Sequence, residues 1–444
     1  MQAVKSLLNL SVILVLVCIS FGSNAEKIVG YEIKIVLETT SDWTDLTFDN
    51  TNFYYLKERI LTPHPVSIGL LSISKNTYDS TLTKIEFDLF FPQPLPPELK
   101  FSVRKGGIGS TKIAFINTEQ ETLGVFVNDK NIPYDVQNLM SFSFKSRLFS
   151  GKDTIIINPD KLNTEKLVLA FYFLWYYPEN WHWTGKLSIA HQPVFGLYSS
   201  SNERILKTHI NMAKSAGIDG FICSWWGINS VSDQNLKKLA SICNEIGFLF
   251  TVYLEKVSDM NDLRTSLCYL ESTYTQQSAY IKYQGKPVIF IFNRILETIP
   301  LDSLRTVNDK FAIINYGYRV SNLEGFDGYH EFLPPETNMQ KLKRLYRLAR
   351  DVANSKNRIF AIPVMPGFDD RSVNEPGTLI KRKNGEYYKQ TWESALSANP
   401  DWILISTFNE WFEGSEIEPS KEYGELYLKL TKQYIEKFKH NKYQ

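Results

Sequence analysis

Beyond about residue 162 the chain carries eight short apolar runs, and stretches of helical period separate most of them. This alternation constrains the fold more than any other feature. The runs lie at 167–175, 220–225, 248–254, 287–292, 312–316, 325–329, 358–363 and 402–407. The helical stretches are 202–216, 233–246, 261–280, 301–308, 338–354 and 388–398, with 423–439 placed to cover the last strand. Eight strands with intervening helices predict an α/β fold, a (β/α)8 TIM barrel, over 163–444. A doubly wound open sheet is the rival, but no Gly-rich phosphate turn follows the first strand.

Residues 27–160 read differently. Strand-period runs at 31–37, 84–91, 111–115, 123–127 and 154–157 are separated by turn clusters such as 92–97 and Gly106-Gly107. They predict a β-sandwich-like accessory domain. It holds no catalytic constellation, and a spacer, a sugar-binding module or a lid are all open to it. Upstream, Lys5, an apolar run over 7–21 and then Ser23-Asn24-Ala25 have the order of an export signal. Cleavage after Ala25 is expected, leaving a secreted, periplasmic or surface protein; an uncleaved anchor is the alternative.

Charge excludes two partner classes. Lys and Arg number 49 against 48 Asp and Glu, so nothing points to nucleic acid or an anionic membrane surface. Cys18 falls in the signal, and Cys223, Cys243 and Cys268 form neither a disulfide framework nor a metal-ligand pattern. No metal site is expected, and the oligomeric state is open.

In such a barrel the chemistry sits at the C-terminal ends of the strands. Those ends are aromatic and acidic: Trp175-Tyr176-Tyr177 with Trp181-His182-Trp183, Ser224-Trp225-Trp226, Glu255, Tyr329-His330-Glu331, and Asn409-Glu410-Trp411-Phe412-Glu413. Aromatic rings suit the flat C–H faces of sugars, although they also suit a core. Glycoside cleavage needs a proton donor for the leaving oxygen and a second carboxylate. Glu410 and Glu413 stand at i and i+3, so a helical turn would place both on one side. The same spacing is common on solvated helix faces. Here the pair follows an apolar strand directly, is interleaved with Trp411 and Phe412, and precedes Gly414. Burial against aromatics would raise one carboxyl pKa and keep it protonated.

The runs Met365-Pro366-Gly367-Phe368-Asp369-Asp370-Arg371, Gly385-Glu386-Tyr387-Tyr388 and Ser406 to Pro419 resemble glycoside hydrolase family 99, the endo-α-mannosidases and endo-α-mannanases. Tyr176-Tyr177-Pro178, His182-Trp183, Gly196 to Ser200 and Ser224 to Gly227 are similar to it in the same order, so the resemblance spans about 167–440. It implies a retaining, endo-acting hydrolase that uses no cofactor and acts on a polysaccharide or glycan. Glu410 would be the base on the sugar's own 2-hydroxyl, giving a 1,2-anhydro intermediate, and Glu413 the acid/base. Glu255 and Tyr329 match a carboxylate and a tyrosine near the substrate. The candidate sugar contacts are then Tyr177, His182, Trp183, Trp225, Trp226, Glu255, Tyr329, Asn409 and Trp411. At strand four the chain has Lys286-Pro287-Val288-Ile289-Phe290, without the His and Tyr of the His-Pro-Ala-Phe-Tyr run that family members acting on mannosides often carry. An α-mannoside leads, and another α-linked sugar stays open. So do a non-catalytic carbohydrate binder and an accessory domain in glycan assembly.

Overall fold

The computed structural model describes residues 26–41, 43–48, 54–60, 66–67, 72–75, 82–106, 109–129, 138–145, 152–157, 165–182, 189–307, 309–318, 323 and 325–440. The expected export signal and Trp183 lie outside the described residues.

The N-terminal strands form two antiparallel sheets. One orders Tyr54–Ile60, Thr83–Pro92, Glu26–Thr39, Thr111–Asn117 and Thr122–Asn128, with Lys152–Ile157 also paired to Glu26–Thr39. The other orders Asn138–Lys145, Glu98–Gly106, Trp43–Phe48, Ser72–Lys75 and Val66–Ser67. Period-two alternation sends Ile33, Ile35, Leu37, Phe87, Leu89, Ile113 and Phe115 inward from the first sheet. Leu46, Leu99, Phe101 and Val103 meet them from the second, with the Phe101 and Phe115 rings 5.0 Å apart. This is the sandwich-like arrangement expected.

The barrel strands are β1 (Leu167–Tyr172), β2 (Gly220–Trp225), β3 (Leu249–Leu254), β4 (Lys286–Ile291), β5 (Ala312–Tyr316), β6 (Gly328–His330), β7 (Ile359–Val364) and β8 (Trp402–Ile405). Each pairs in parallel with its chain neighbours, and β8 pairs with β1 to close the ring. The helices are α1 (Glu203–Ser215), α2 (Val231–Ile246), α3 (Met260–Thr273), α4 (Asn293–Thr298), α5 (Leu301–Arg305), α6 (Met339–Ser355), α7 (Glu386–Leu396) and α8 (Leu426–His440). Asn202, Ser230, Asp259 and Asn338 cap α1, α2, α3 and α6 by accepting first-turn N–H groups. The short α4 has no counterpart among the expected helices. The expected helix at 261–280 ends at Thr273, where the chain turns toward β4.

Strand parity divides the core. Leu167, Leu169, Phe171, Ile222, Tyr253, Val288, Phe290, Ala312, Ile314, Ile359, Ala361, Trp402 and Leu404 fill the barrel interior. The intervening residues, such as Val168, Ala170, Tyr172, Ile289, Ile362, Ile403 and Ile405, pack outward under the helices. Both faces of each strand are covered, which is why the runs are continuously apolar rather than alternating.

Candidate active site

The same parity, carried past the strand ends, decides which side chains reach the mouth. Phe173 and Trp175 continue the inward set of β1, Glu255 that of β3, Phe292 that of β4, and Phe332 that of β6. Their floor is aromatic: Tyr253 lies 4.9 Å from Phe171, 5.4 Å from Phe292 and 5.5 Å from His330, ring to ring. His330 sits inside this floor with Nδ1 2.9 Å from Asn315 O and Nε2 3.3 Å from Tyr253 Oη. Its burial pushes the imidazole down to about 3, so it stays neutral.

Beyond β8 the chain forms a closed loop. Ser406 N donates to Val364 O and Phe408 N to Phe171 O, tying the loop's first limb to β7 and β1. Thr407 N donates to Ser415 O (2.8 Å) and Glu418 N to Phe408 O (2.8 Å), so the return limb runs back along it. Between them 411–414 make a single turn rather than a helix, with Gly414 N donating to Trp411 O. Gly414 has φ +55°, and a Cβ there would lie 3.1–3.3 Å from Asp369 atoms, so only glycine suits the position.

This turn presents Glu410 and Glu413 to the mouth. Glu410 is buried; its N–H donates to Thr407 Oγ1 (2.8 Å), and Oε1 accepts from Phe412 N (3.1 Å). Tyr176 Oη donates to Asn409 O (2.8 Å), accepts from Trp411 N (3.0 Å) and lies 3.5 Å from Glu410 Oε1. Glu413 is anchored through its backbone, whose carbonyl accepts from Asp369 N (2.7 Å). Its Oε2 is buried with no hydrogen-bond partner among the described residues. An orphaned carboxyl oxygen carries a desolvation cost that an arriving hydroxyl or glycosidic oxygen removes.

The electrostatics raise Glu410, Glu413 and Glu255. Burial, then the negative charge of Glu413, pushes Glu410 well above the carboxyl range. Burial and then Asp370 push Glu413 up to about 7. Glu255 is also pushed up to about 7, by burial, against the Ser224 hydrogen bond and the Arg294 charge that pull it down. Glu410 and Glu413 repel each other's second charge, so near neutrality the pair holds about one proton between them.

Of the expected sugar contacts, Trp226 (37% exposed) and Glu255 stand at the mouth together. Glu255 Oε1 accepts from Ser224 Oγ (2.8 Å), which in turn accepts from Trp226 Nε1 (3.0 Å). Tyr177 and His182 are exposed. Four other expected contacts are corrected by parity or burial. Trp225 faces outward, and its Nε1 donates to Asp233 Oδ1 under α2. Tyr329 likewise faces outward and donates to Ala349 O on α6, packed against Phe360 and Tyr318. Asn409 and Trp411 are fully buried behind the loop: Asn409 bonds Phe173 N and O, and Trp411 Nε1 donates to Glu418 Oε2. They position the loop and present no surface to a sugar.

Sequence reasoning passed over Trp175, Tyr176, Ser224 and Arg294. Counting inward positions along β1 and β2 would have placed Trp175 and Ser224 at the mouth and removed Trp225. Tyr176 offers no such signal, since its role depends on a loop over 230 residues away. Tyr176→Phe should therefore lower kcat about tenfold and cost about 1–3 kcal/mol, because Asn409 O loses its donor and Trp411 N its acceptor. The alkaline limb of the pH–rate profile should also move up, since this hydroxyl helps pull Glu410 down. A profile and rate unchanged from the unsubstituted protein would show that Tyr176 only packs.

The comparisons agree with this architecture. The glycosyl hydrolase family 99 profile matches residues 180–301 and 314–440. A Homo sapiens glycoprotein endo-alpha-1,2-mannosidase-like protein is 24% identical over 343 residues, 61% of this chain and 75% of that protein. The Xenopus laevis glycoprotein endo-alpha-1,2-mannosidase is 24% identical over 329 residues, 60% of this chain and 73% of that protein. The GH99 endo-alpha-mannosidase from Bacteroides thetaiotaomicron shares the fold, with a TM-score of 0.55 at 22% identity, covering 61% of this chain and 97% of that one. With a family match over more than half its length, this chain belongs to glycosyl hydrolase family 99 and is a glycoside hydrolase.

Proposed function

We propose that this protein is an exported, endo-acting hydrolase of α-mannosides, with Glu410 and Glu413 as its catalytic pair and retention of configuration. The observation that carries this reading is the pair itself: two buried, mutually repelling carboxyls at the end of β8, one with an unpartnered oxygen. The names of the relatives supply the sugar.

In the proposed reaction Glu410 takes the proton of the sugar's 2-hydroxyl as O2 attacks C1. The glycosidic C1–O bond breaks, and Glu413 gives its proton to the departing oxygen. Water then attacks C1 of the 1,2-anhydro sugar and the C1–O2 bond breaks, while Glu413 takes a water proton and Glu410 returns its proton to O2. Two inversions at C1 give net retention. In the free protein burial raises both carboxyls and the charge of Glu413 also raises Glu410, so the two share one proton. A 2-hydroxyl donating to Glu410 favours its ionised form and moves that proton to Glu413, where the leaving oxygen needs it. Substrate binding thus sets the acid and base roles.

The test is product mapping on α-1,2-linked manno-oligosaccharides, yeast α-mannan and N-glycans. Release of oligosaccharides whose new reducing ends are first formed as the α-anomer is expected. Binding without turnover on every substrate would replace this reading with a non-catalytic carbohydrate binder.

A further inference from the structure

β4 and the residue after it bring Val288, Phe290 and Phe292 to the barrel interior, and the strand Lys286–Ile291 holds no hydroxyl or imidazole for sugar recognition. The polar group at this edge comes from the next turn. Arg294, in the first turn of α4, holds its guanidinium carbon 5.0 Å from the Trp226 ring centroid and 5.1 Å from that of Phe292. Its Nη1 is buried and has no hydrogen-bond partner among the described residues. Two aromatic rings beside the guanidinium restrain its position before any ligand arrives. A buried N–H without an acceptor is costly, and a ligand oxygen at that point relieves the cost.

The surroundings say which ligand. Glu255 feels the charge of Arg294 on one side and of Glu413 on the other, which places this cluster beside the catalytic pair. Ser224 links Glu255 to Trp226. A planar donor, a carboxylate acceptor and a partly exposed indole therefore adjoin one another. Arg294 lies close enough to lower Glu255, and Glu255 in turn feels Glu413, so a ligand at Arg294 also meets these carboxyl groups. An acidic substituent would be repelled by their negative charge, whereas uncharged hydroxyls can use donor and acceptor at once.

We propose that Arg294 is a specificity-determining residue: with Glu255 as acceptor and Arg294 Nη1 as donor, it grips neighbouring hydroxyls of a neutral hexose held against Trp226, adjoining the sugar whose bond is cut. The inference rests on the endo-glycosidase reading and adds to it the class of the adjoining sugar.

Calorimetric titration separates the two claims, because it reads binding apart from cleavage. Glu413→Gln and Glu413→Gln/Arg294→Met would be titrated with α-1,2-linked mannotriose and with the same trisaccharide bearing a phosphate. Arg294→Met should weaken mannotriose binding about 10–100-fold. Arg294→Lys should recover little of it, since an ammonium lacks the planar fork. The phosphorylated sugar should bind more weakly than the neutral one. Thermal melting of Arg294→Met should be unchanged or higher, since an unpaired buried donor is removed, so lost affinity would not reflect lost fold. Equal affinity with and without Arg294, preference for the phosphorylated sugar, or no binding of mannotriose at all would each overturn the inference. Arg294-dependent binding in a protein that, unsubstituted, cleaves nothing would uphold it and sink the hydrolase reading instead.

Discussion

Replacing Glu413 by Gln is expected to lower kcat on α-mannan about 10²–10⁴-fold, the range that positioned proton transfer supplies. Glu410→Gln should do at least as much, since it removes the group proposed as the base on the sugar's own oxygen. The two losses have different remedies. A substrate with a leaving group that needs no proton, such as a glycosyl fluoride, should restore much of the first step in Glu413→Gln. It should restore little in Glu410→Gln, where O2 keeps its proton. Equal rescue of both variants, or full activity in either, would remove the assigned roles. The pH dependence follows from the same burial. With Glu413 pushed up to about 7 and Glu410 higher, the singly protonated pair is lost as pH falls through about 7. The acid limb of kcat/KM should then lie near 7 rather than near 4–5, where ordinary carboxyls titrate.

Stability gives a second readout. A carboxyl raised above its unfolded value of about 4.3 binds its proton more tightly when folded. Its presence therefore costs stability as pH rises from about 4.3 to its folded pKa, and the cost is constant above that. Glu413→Gln should melt like the unsubstituted protein near pH 4 and become more stable by pH 7, by about 1–3 kcal/mol. A variant that melts lower at every pH would show that Glu413 holds the loop together and that its proton is incidental.

The barrel was legible because its signal is local. A strand covered on both faces must be apolar throughout, and the helices between start at Asn, Ser and Asp residues that cap them. Glu410 and Glu413 were legible because they follow the last such strand within one turn. What the chain does not display is which neighbour of a pair faces inward. Trp225 and Trp226 are adjacent and chemically alike, yet one packs under α2 and the other meets the mouth. Tyr329 and His330 divide in the same way. Arg294 was hidden for another reason. Its significance lies in the missing partner of one nitrogen, and only the folded surroundings reveal that.

Glu418→Gln is expected to be the most damaging change at a residue that never meets substrate. Glu418 Oε2 accepts from Tyr198 Oη (2.8 Å) and Trp411 Nε1 (3.0 Å), and Oε1 lies 3.0 Å from His209 Nε2. His209 Nδ1 in turn lies 2.8 Å from Tyr172 Oη. These partners come from β1, α1 and the segment joining them, so one buried carboxyl fastens the catalytic loop to the start of the barrel. A glutamine keeps the volume but turns one end into a donor that faces donors. Breaking such a buried network typically costs about 3–5 kcal/mol, and a midpoint lowered by roughly 10 °C follows for a chain of this size. Stability alone does not exhaust the effect. Trp411 and Glu410 are consecutive, and Tyr176 holds the backbone on both sides of Glu410. Once Trp411 is released, the carboxyl loses its placement even where the barrel remains folded. Activity measured 20 °C below the variant's own midpoint should therefore still be reduced about 100-fold in kcat, a loss of the size expected when a catalytic group is misplaced by about 1 Å. Far-ultraviolet circular dichroism at that temperature should be unchanged. A variant with a lowered midpoint but undiminished kcat on the folded protein would show that the loop keeps its shape without Glu418, and that Thr407 and Tyr176 suffice to hold Glu410.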